Sequence, residues 1–262
     1  MEISVLKQTP TQIQLAVEGI DYVMANTLRR LMIAEVPVLA IDEVEFQKNN
    51  SALYDEIIAH RLGLIPPKTD LKSYNIKEEC KCKGEGCALC QVEFSLDVTG
   101  PATVYARDLQ CKDPAIVPVY GEMPIVKLLK GQTLELEATA VLGKGKAHVK
   151  WSPCHVWYKY KPIVEITGEV KNPEAIIEVD HNSIFEIKDR KLTVNKDRVL
   201  ECDLSLDFSE IDKNVKVSAN STDFVFYVES FGQLSCKEII NTAINIFDEQ
   251  LDEFVEELKK AK

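Results

Sequence analysis

The sequence lacks any apolar run long enough to cross a bilayer, and its first ten residues carry no stretch typical of a signal peptide. Glycine and proline are scarce, at 11 each in 262 residues, which excludes fibrous repeats and low-complexity disorder. Basic residues are also outnumbered, 31 against 42 acidic ones, and the net charge of -11 disfavours direct DNA binding. These absences predict a folded cytoplasmic protein of one or two domains, without a membrane segment.

Catalytic motifs are absent too. The sequence has no glycine-rich phosphate or dinucleotide loop, no nucleophile-elbow serine and no paired-histidine zinc-protease motif. Only four histidines are available for acid–base chemistry. One of them, His60, follows the acidic pair Asp55-Glu56, but a packed or hydrogen-bonded histidine explains it more simply. The chain is therefore predicted not to be an enzyme on its own.

Apolar periodicity predicts an α+β fold. Alternating residues indicate an opening hairpin of strands 3–7 and 12–17, followed by a helix that Asp21 can cap and that Pro37 stops near Val36. Residues 92–160 are rich in β-formers, and residues 161–223 form a smaller mixed segment with many acids. The middle of the chain is therefore predicted to be a β-rich body with a small α+β module after it.

The clearest predicted element is the last one. Ser235 and Glu238 have the spacing of a capping box, and a helix of about 25 residues should follow them. Its apolar residues advance by four and three, which draws one line down the helix that we call the C-terminal stripe: Ile240, Ile244, Phe247, Leu251, Phe254 and Leu258. This stripe packs either on the chain's own N-terminal sheet or on a partner, and its length would let it serve both.

Four of the eight cysteines lie within eleven positions, in the pattern C-x-C-x4-C-x2-C: Cys80, Cys82, Cys87 and Cys90. Four thiolates this close can surround one tetrahedral Zn²⁺, and Gly84 and Gly86 permit the backbone reversal between the two ligand pairs. A site closed by four cysteines is typical of structural zinc rather than catalytic zinc. The alternatives are two disulfides, an iron–sulfur cluster or four free thiols, although the spacing differs from the ferredoxin pattern.

Several segments, in this order, resemble the α-like subunits of DNA-directed RNA polymerase, and the archaeal D-type branch of that family is the most similar. The resemblance covers nearly the whole chain, and its main segments are Asn26-Thr27-Leu28-Arg29-Arg30, Glu35-Val36-Pro37, His60-Arg61-Leu62-Gly63-Leu64-Ile65-Pro66, Gly145-Lys146-Ala147-His148-Val149-Lys150-Trp151 and Phe226-Tyr227-Val228-Glu229-Ser230-Phe231-Gly232. What it implies is a noncatalytic assembly platform.

The resemblance also implies a domain plan. A dimerisation domain made of a sheet and two helices is split into residues 1–42 and 224–262. An insert domain at 43–161 carries the cysteine loop as a zinc loop, and a ferredoxin-like module is expected at 162–223. Many members load this module with iron–sulfur clusters, but here Asp180-His181-Asn182-Ser183 stands where a Cys-Pro is expected. Because Cys202 alone cannot hold a cluster, the module is predicted to be empty.

The partners implied by the resemblance are other polymerase subunits. The first and last helices would pack on a small α-like partner, the L subunit, and the pair would dock the two largest subunits, with the small N and P subunits as further partners. Docking of the large subunits would fall to Asn26, Arg29, Arg30, His60 and Arg61, although solvated arginines are the alternative. Two other classes stay open from the residues alone: a redox protein that uses the cysteine loop, and a zinc-dependent enzyme.

Overall fold

The computed structural model describes residues 1–188, 191–195, 198–202, 204 and 207–261. Its helices are α1 Tyr22–Ala34, α2 Asp55–Gly63, α3 Pro173–Val179 and α4 Cys236–Lys260. Its strands are β1 Glu2–Gln8, β2 Gln12–Glu18, β3 Val38–Asn49, β4 Gln91–Thr99, β5 Ala102–Tyr105, β6 Gln110–Cys111, β7 Pro124–Leu128, β8 Thr133–Gly143, β9 Cys154–Ile166, β10 Phe185–Lys188, β11 Lys191–Val194 and β12 Val215–Ser230. This mixture confirms the α+β class.

Some predicted positions fall outside the described residues. They are 189–190, 196–197, 203 and 205–206 of the expected ferredoxin-like module, and residue 262 of the second dimerisation segment. Among the residues that are described, no helix is both long enough and apolar enough to cross a membrane.

The helix ends follow local chemistry. In α1, the Asp21 carboxylate accepts the Met24 N–H at 2.7 Å, which is the predicted cap. The helix ends at Ala34, two residues before the predicted Val36, although the Val36 N–H still bonds the Leu31 carbonyl at 3.3 Å. In α4 the predicted capping box is present, and the helix runs for 25 residues. The strongest local signals in the sequence therefore placed both helices correctly to within two residues.

The described chain divides into two compact units, and the first consists of Met1–Gln8, Ile13–Thr27 and Trp157–Tyr227. Most of the four-stranded sheet β1-β2-β12-β9 belongs to it. Aromatic side chains pack between its strands, with the rings of Tyr158 and Phe224 edge to face at 5.5 Å. A separate small core surrounds α3 and the β10-β11 hairpin, formed by Ile176, Ile184, Phe185, Leu192, Cys202, Phe208 and Val215.

The second unit consists of Thr9–Gln12, Leu28–Val156 and Val228–Lys262. Its main sheet has the order β3-β8-β4-β6, and β5 and β7 form a two-stranded sheet of their own. Ala140 of β8 lies opposite both Ile41 of β3 and Val92 of β4, so small and large apolar side chains share one face. Helix α2 covers that face with Ile58 and Leu62, which are fully buried in the largest core.

Candidate metal centre and partner-binding surface

The four predicted cysteine ligands meet at one point. Their sulfur atoms all lie within 4.8 Å of one another. The Cys80–Cys87 and Cys82–Cys90 pairs are 3.6 Å apart, and the Cys87–Cys90 pair is 3.8 Å apart. A tetrahedron with Zn–S bonds of about 2.3 Å has sulfur–sulfur edges of about 3.8 Å. The donor set and its spacing therefore fit one tetrahedral zinc ion.

The backbone of the loop explains why the sulfurs converge. Lys83, Gly84 and Gly86 take φ values of +55°, +88° and +92°, which reverse the chain between the two ligand pairs. After this turn, the Cys87 N–H donates a hydrogen bond to the Cys90 sulfur, with the nitrogen and the sulfur 3.2 Å apart. A side chain at Gly86 would strain the backbone at this positive φ and would displace the end of the Gln91 side chain, so glycine is favoured here.

The four thiols differ in acidity. Burial opposes ionisation of Cys82, but hydrogen bonds from the Gly86 N–H and from the Cys90 and Cys80 thiols lower the Cys82 pKa to about 6. Burial raises the pKa of the Cys90 thiol to about 12. The Cys82 thiol therefore ionises more readily than a free cysteine, and binding of a divalent metal would require the other thiols to lose their protons.

The isolated cysteines lie apart from this cluster. Cys154 is buried and its thiol donates to the Met32 carbonyl at 3.5 Å, while the buried Cys236 thiol donates to the Thr11 carbonyl at 3.3 Å. Cys202 belongs to the small core around α3, and Cys111 is half-buried at the end of β6. At these positions the four thiols act as small packed side chains.

Most of the C-terminal stripe is uncovered in this chain. Leu251, Phe254 and Leu258 are 47%, 62% and 52% exposed. Ile244 is also exposed, whereas Ile240 and Phe247 are half-buried. The second half of the stripe, from Leu251 onward, is therefore exposed along its length.

Sequence reasoning missed the face by which α4 is anchored. Cys236, Ile239 and Ala243 are its buried residues, and they form a second apolar line near the start of the helix. At about 100° per residue, this line is centred about 70° from the C-terminal stripe. The spacing of three and then four residues from Cys236 to Ile239 and Ala243 is present in the sequence. It was not recognised because the C-terminal stripe is longer and more regular.

The predicted docking residues lie on two helices. Asn26, Arg29 and Arg30 are on α1, where Arg30 is exposed and the other two are half-buried. His60 and Arg61 are in the last turn of α2, and His60 is exposed. Arg61 has a structural contact as well, because its guanidinium donates to the Ile125 carbonyl at 2.7 Å and thereby ties α2 to β7.

The segment that contains α2 and the cysteine loop matches a known family. The family model of the RNA polymerase Rpb3/RpoA insert domain covers residues 40–153. The chain is 37% identical to DNA-directed RNA polymerase subunit Rpo3 of Methanosphaera stadtmanae, with 97% of each chain covered. It is 36% identical to Rpo3 of Archaeoglobus fulgidus, with 98% of this chain and 99% of the relative covered, and 36% identical to Rpo3 of Pyrococcus horikoshii, with 99% and 98% covered. The chain therefore belongs to the Rpo3 family, the α-like assembly subunits of DNA-directed RNA polymerase.

Proposed function

We propose that this chain acts as a D-type platform in the cytoplasm, pairing with the small α-like L subunit through α1 and the C-terminal stripe of α4. The pair then docks the two largest polymerase subunits, and the small N and P subunits join the same assembly. No sequence-specific contact with DNA is part of this role. The observation that carries the proposal is the exposure of the C-terminal stripe.

The stripe is costly to leave in water. Leu251, Phe254 and Leu258 are large apolar side chains about half exposed or more, and burying the rest of each would contribute on the order of 1 kcal/mol. Considered by itself, the first turn of α1 also carries exposed apolar residues, Tyr22, Val23 and Met24. Exposed apolar surface on this scale is typical of a protein–protein interface.

The acidic face of α4 favours contact with water, which leaves the C-terminal stripe as the face that a partner would cover. The acidic residues of α4 lie on the faces away from the stripe: Asp248, Glu249, Asp252, Glu253, Glu256 and Glu257. A helix with one apolar line and one charged face pairs through the apolar line. We infer that the partner contributes helices with a matching apolar line.

Docking of the large subunits is assigned to Asn26, Arg29, Arg30, His60 and Arg61. The exposed Arg30 offers a planar guanidinium that can pair with carboxylates or backbone carbonyls of another subunit. One N–H of the Arg61 guanidinium already donates to the Ile125 carbonyl, so docking would use the remaining N–H donors of Arg61. His60, one residue earlier on α2, is exposed next to it.

The cysteine loop is proposed to hold a structural zinc ion through Cys80, Cys82, Cys87 and Cys90. The fit of the sulfur spacing to a tetrahedron supports zinc, and the four-thiolate set leaves no ligand position for substrate. Zinc would fix a segment that has only short 3-10 and turn structure of its own.

The module at 162–223 is proposed to be ferredoxin-like and to carry no iron–sulfur cluster. Its described core is apolar, and Cys202 is buried within it beside Ile176 and Phe208. A cluster requires three or four thiolates directed at one point, and Cys202 is the one cysteine of this segment. The absence of a cluster stays a prediction, which the visible absorption spectrum of the purified protein tests.

The pairing proposal is tested by placing a charge within the stripe. Coexpression with the candidate small partner should give a one-to-one heterodimer by size-exclusion mass measurement. Phe254→Asp or Leu251→Asp should abolish it, because an unpaired carboxylate would be buried in an apolar interface. Since both positions are exposed in this chain, the variants should fold as the parent does.

Asn245→Asp is the matched control. Asn245 is exposed and lies about 140° around the helix from the stripe, so the same charge should leave pairing intact. A heterodimer that forms equally well with Phe254→Asp would refute the proposed surface, as would a parent chain that stays monomeric with the partner present.

A further inference from the structure

The loop between β8 and β9 contains the segment 145–151, which carries part of the family resemblance but belongs to neither the C-terminal stripe nor the docking residues. We call residues 144–151 the capping loop. The Lys146 N–H donates to the carbonyl of Ala34, the last residue of α1, with the nitrogen and the oxygen 2.9 Å apart. Because the last four carbonyls of a helix have no partner within the helix, this bond supplies one from a distant part of the chain. The capping loop thus closes the C-terminal end of α1.

Gly145 allows the capping loop to come this close to α1. A Cβ atom at this position would lie 2.2 Å from the Ile33 carbonyl oxygen and 3.4 Å from the Ala34 Cα. Both are backbone atoms of the last turn of α1, which cannot rotate away as a side chain can. Glycine is therefore required here by the close approach of the loop to the helix.

Glu35 carries a charge where a helix disfavours it. It directly follows the last residue of α1, and a carboxylate at the negative end of a helix dipole is destabilising. Its side chain is 18% exposed, and its oxygens lie 3.6 Å from the Lys144 ammonium and 3.8 Å from the Lys146 ammonium. The two lysines of the capping loop therefore offset a repulsion that α1 cannot relieve by itself.

The other end of the capping loop is anchored on β8. The Trp151 indole N–H donates to the Val141 carbonyl at 3.1 Å, and the ring packs on Gly143, where a Cβ atom would lie 2.4 Å from it. The Lys150 ammonium lies 4.3 Å from the centre of the same ring. A loop fixed to the sheet at one end and to α1 at the other holds the helix end in a defined position.

We propose that the capping loop positions Arg30 for docking of the large polymerase subunits. The part of α1 after residue 27 belongs to the same compact unit as the loop, and it carries the exposed Arg30 about one turn before the capped end. A planar guanidinium pairs with a carboxylate only in the right direction, so a helix end free to shift would weaken that contact. This inference rests on the proposed docking function. It assigns Gly145, Lys146 and Glu35 as positioning residues, which act through α1 rather than by contact with the partner.

The test is Gly145→Ala, combined with Arg30→Ala in a double-mutant cycle. In the purified chain, Gly145→Ala should speed hydrogen exchange of the Glu35 and Val36 amides, which bond the Leu31 carbonyl, by about 3- to 10-fold, because the helix end loses its cap. Binding of the purified large subunits to the heterodimer should weaken by about 3- to 10-fold, at a temperature where circular dichroism shows the variant folded. In the Arg30→Ala background, Gly145→Ala should cause no further loss of binding, because the side chain that it misplaces is already gone.

A milder variant is Lys144→Gln with Lys146→Gln, which avoids any steric change in the loop. It leaves Glu35 uncompensated at the helix end, so exchange should accelerate and docking should weaken, and Glu35→Gln in the same chain should restore both. The matched control is Lys127→Gln with Lys130→Gln, which makes the same change in charge at exposed positions on and after β7. This control should alter neither measurement.

A purely structural loop would lower the melting temperature of Gly145→Ala but leave docking by the folded chain unchanged, and that result would overturn the proposal. A loss of docking that persists in the Arg30→Ala background would also overturn it, by showing that the loop does not act through Arg30. Unchanged exchange at the end of α1 would do the same. Failure of the parent heterodimer to bind any large subunit would instead overturn the proposed docking function, and the exchange measurement would still decide whether the loop fixes α1.

Discussion

At the scale of single residues, Tyr74 connects the start of the cysteine loop to a distant segment. Its ring lies in the largest core and its hydroxyl donates to the Asp113 carboxylate at 2.6 Å. The next residue, Asn75, bonds the Leu89 carbonyl through its N–H at 2.8 Å, which closes the base of the loop. Burial and the bond to Asp113 raise the pKa of Tyr74, and the same bond lowers the pKa of Asp113. The pair therefore holds the loop in place as a neutral phenol and a carboxylate.

Replacing Tyr74 by Phe should destabilise the chain by about 1 to 2 kcal/mol, since a buried hydrogen bond to a partly exposed carboxylate is lost. The effect should depend on pH in one direction. Because the folded pKa of Asp113 is depressed, its contribution is complete above its unfolded value of about 3.9 and is lost as pH falls through the lower folded value. Urea unfolding should show a constant gap between parent and variant from pH 7 to 5, which narrows below pH 4. A gap that stays unchanged down to pH 3 would contradict this.

The role of a residue could be predicted where its partners are close to it in the sequence. The four cysteines stand within eleven positions, so their spacing alone indicated a common site. Arg61 shows the limit, because the carbonyl that it bonds belongs to Ile125, 64 positions along the chain. Gln233 shows it again, since no pattern in the sequence reveals that its buried side-chain oxygen has no hydrogen-bond partner among the described residues. Contacts between distant segments depend on how the sheets are assembled.

At the scale of elements, α4 was the most predictable. Its first turn is closed reciprocally: the Ser235 hydroxyl accepts the Glu238 N–H at 3.3 Å, and the Glu238 carboxylate accepts the Ser235 N–H at 2.9 Å. The hydrogen bonds from Ser235 lower the pKa of Glu238. This local closure explains why a four-residue signal located the start of a helix whose second half has no buried residue.

Ser235→Ala should destabilise the free chain by about 1 kcal/mol, because the Glu238 N–H loses the hydroxyl that accepts it and the Glu238 carboxylate loses the Ser235 O–H. Ser235→Asp should retain most of the stability, since a carboxylate can accept the same N–H group and also suits the positive end of the helix. Chemical unfolding followed by circular dichroism measures both. Equal losses for Ala and Asp would mean that Ser235 acts through packing rather than as a cap.

The cysteine loop makes a prediction about metal content. The parent should copurify with about one zinc per chain, and Cys82→Ser should lose it, because three thiolates form a weaker site. Cys111→Ser is the control, since Cys111 lies outside the cluster of sulfurs and should leave zinc bound. Metal analysis by mass spectrometry decides the matter. Iron in the parent, or zinc retained by Cys82→Ser and lost by Cys111→Ser, would contradict the assignment.

At the scale of the whole molecule, the functional class could be predicted from the sequence although the order of the strands in the sheets could not. The relatives confirm a noncatalytic subunit of DNA-directed RNA polymerase. The sequence predicted the strands of the opening hairpin but not that β12, about 200 residues later, would lie beside β2. Strand order reflects long-range closure, for which local periodicity carries no signal. The domain boundaries also depend on contacts between distant segments, and they stay predictions.

Reconstitution of the polymerase tests whether pairing with the small partner and docking of the large subunits use different surfaces of the chain. Arg30 is exposed on α1, so Arg30→Ala should leave both the fold and the heterodimer intact, but it should weaken recruitment of the two largest subunits about tenfold. Arg30→Lys should restore little, because an ammonium group cannot reproduce the planar fork of a guanidinium. Reconstitution from purified subunits, with the heterodimer and the full assembly resolved by size exclusion, measures the two steps separately. Arg61→Ala would not serve here, since losing its bond to Ile125 disturbs α2 itself. If Arg30→Ala assembles as well as the parent, Arg30 is a solvated arginine and docking is carried by other residues.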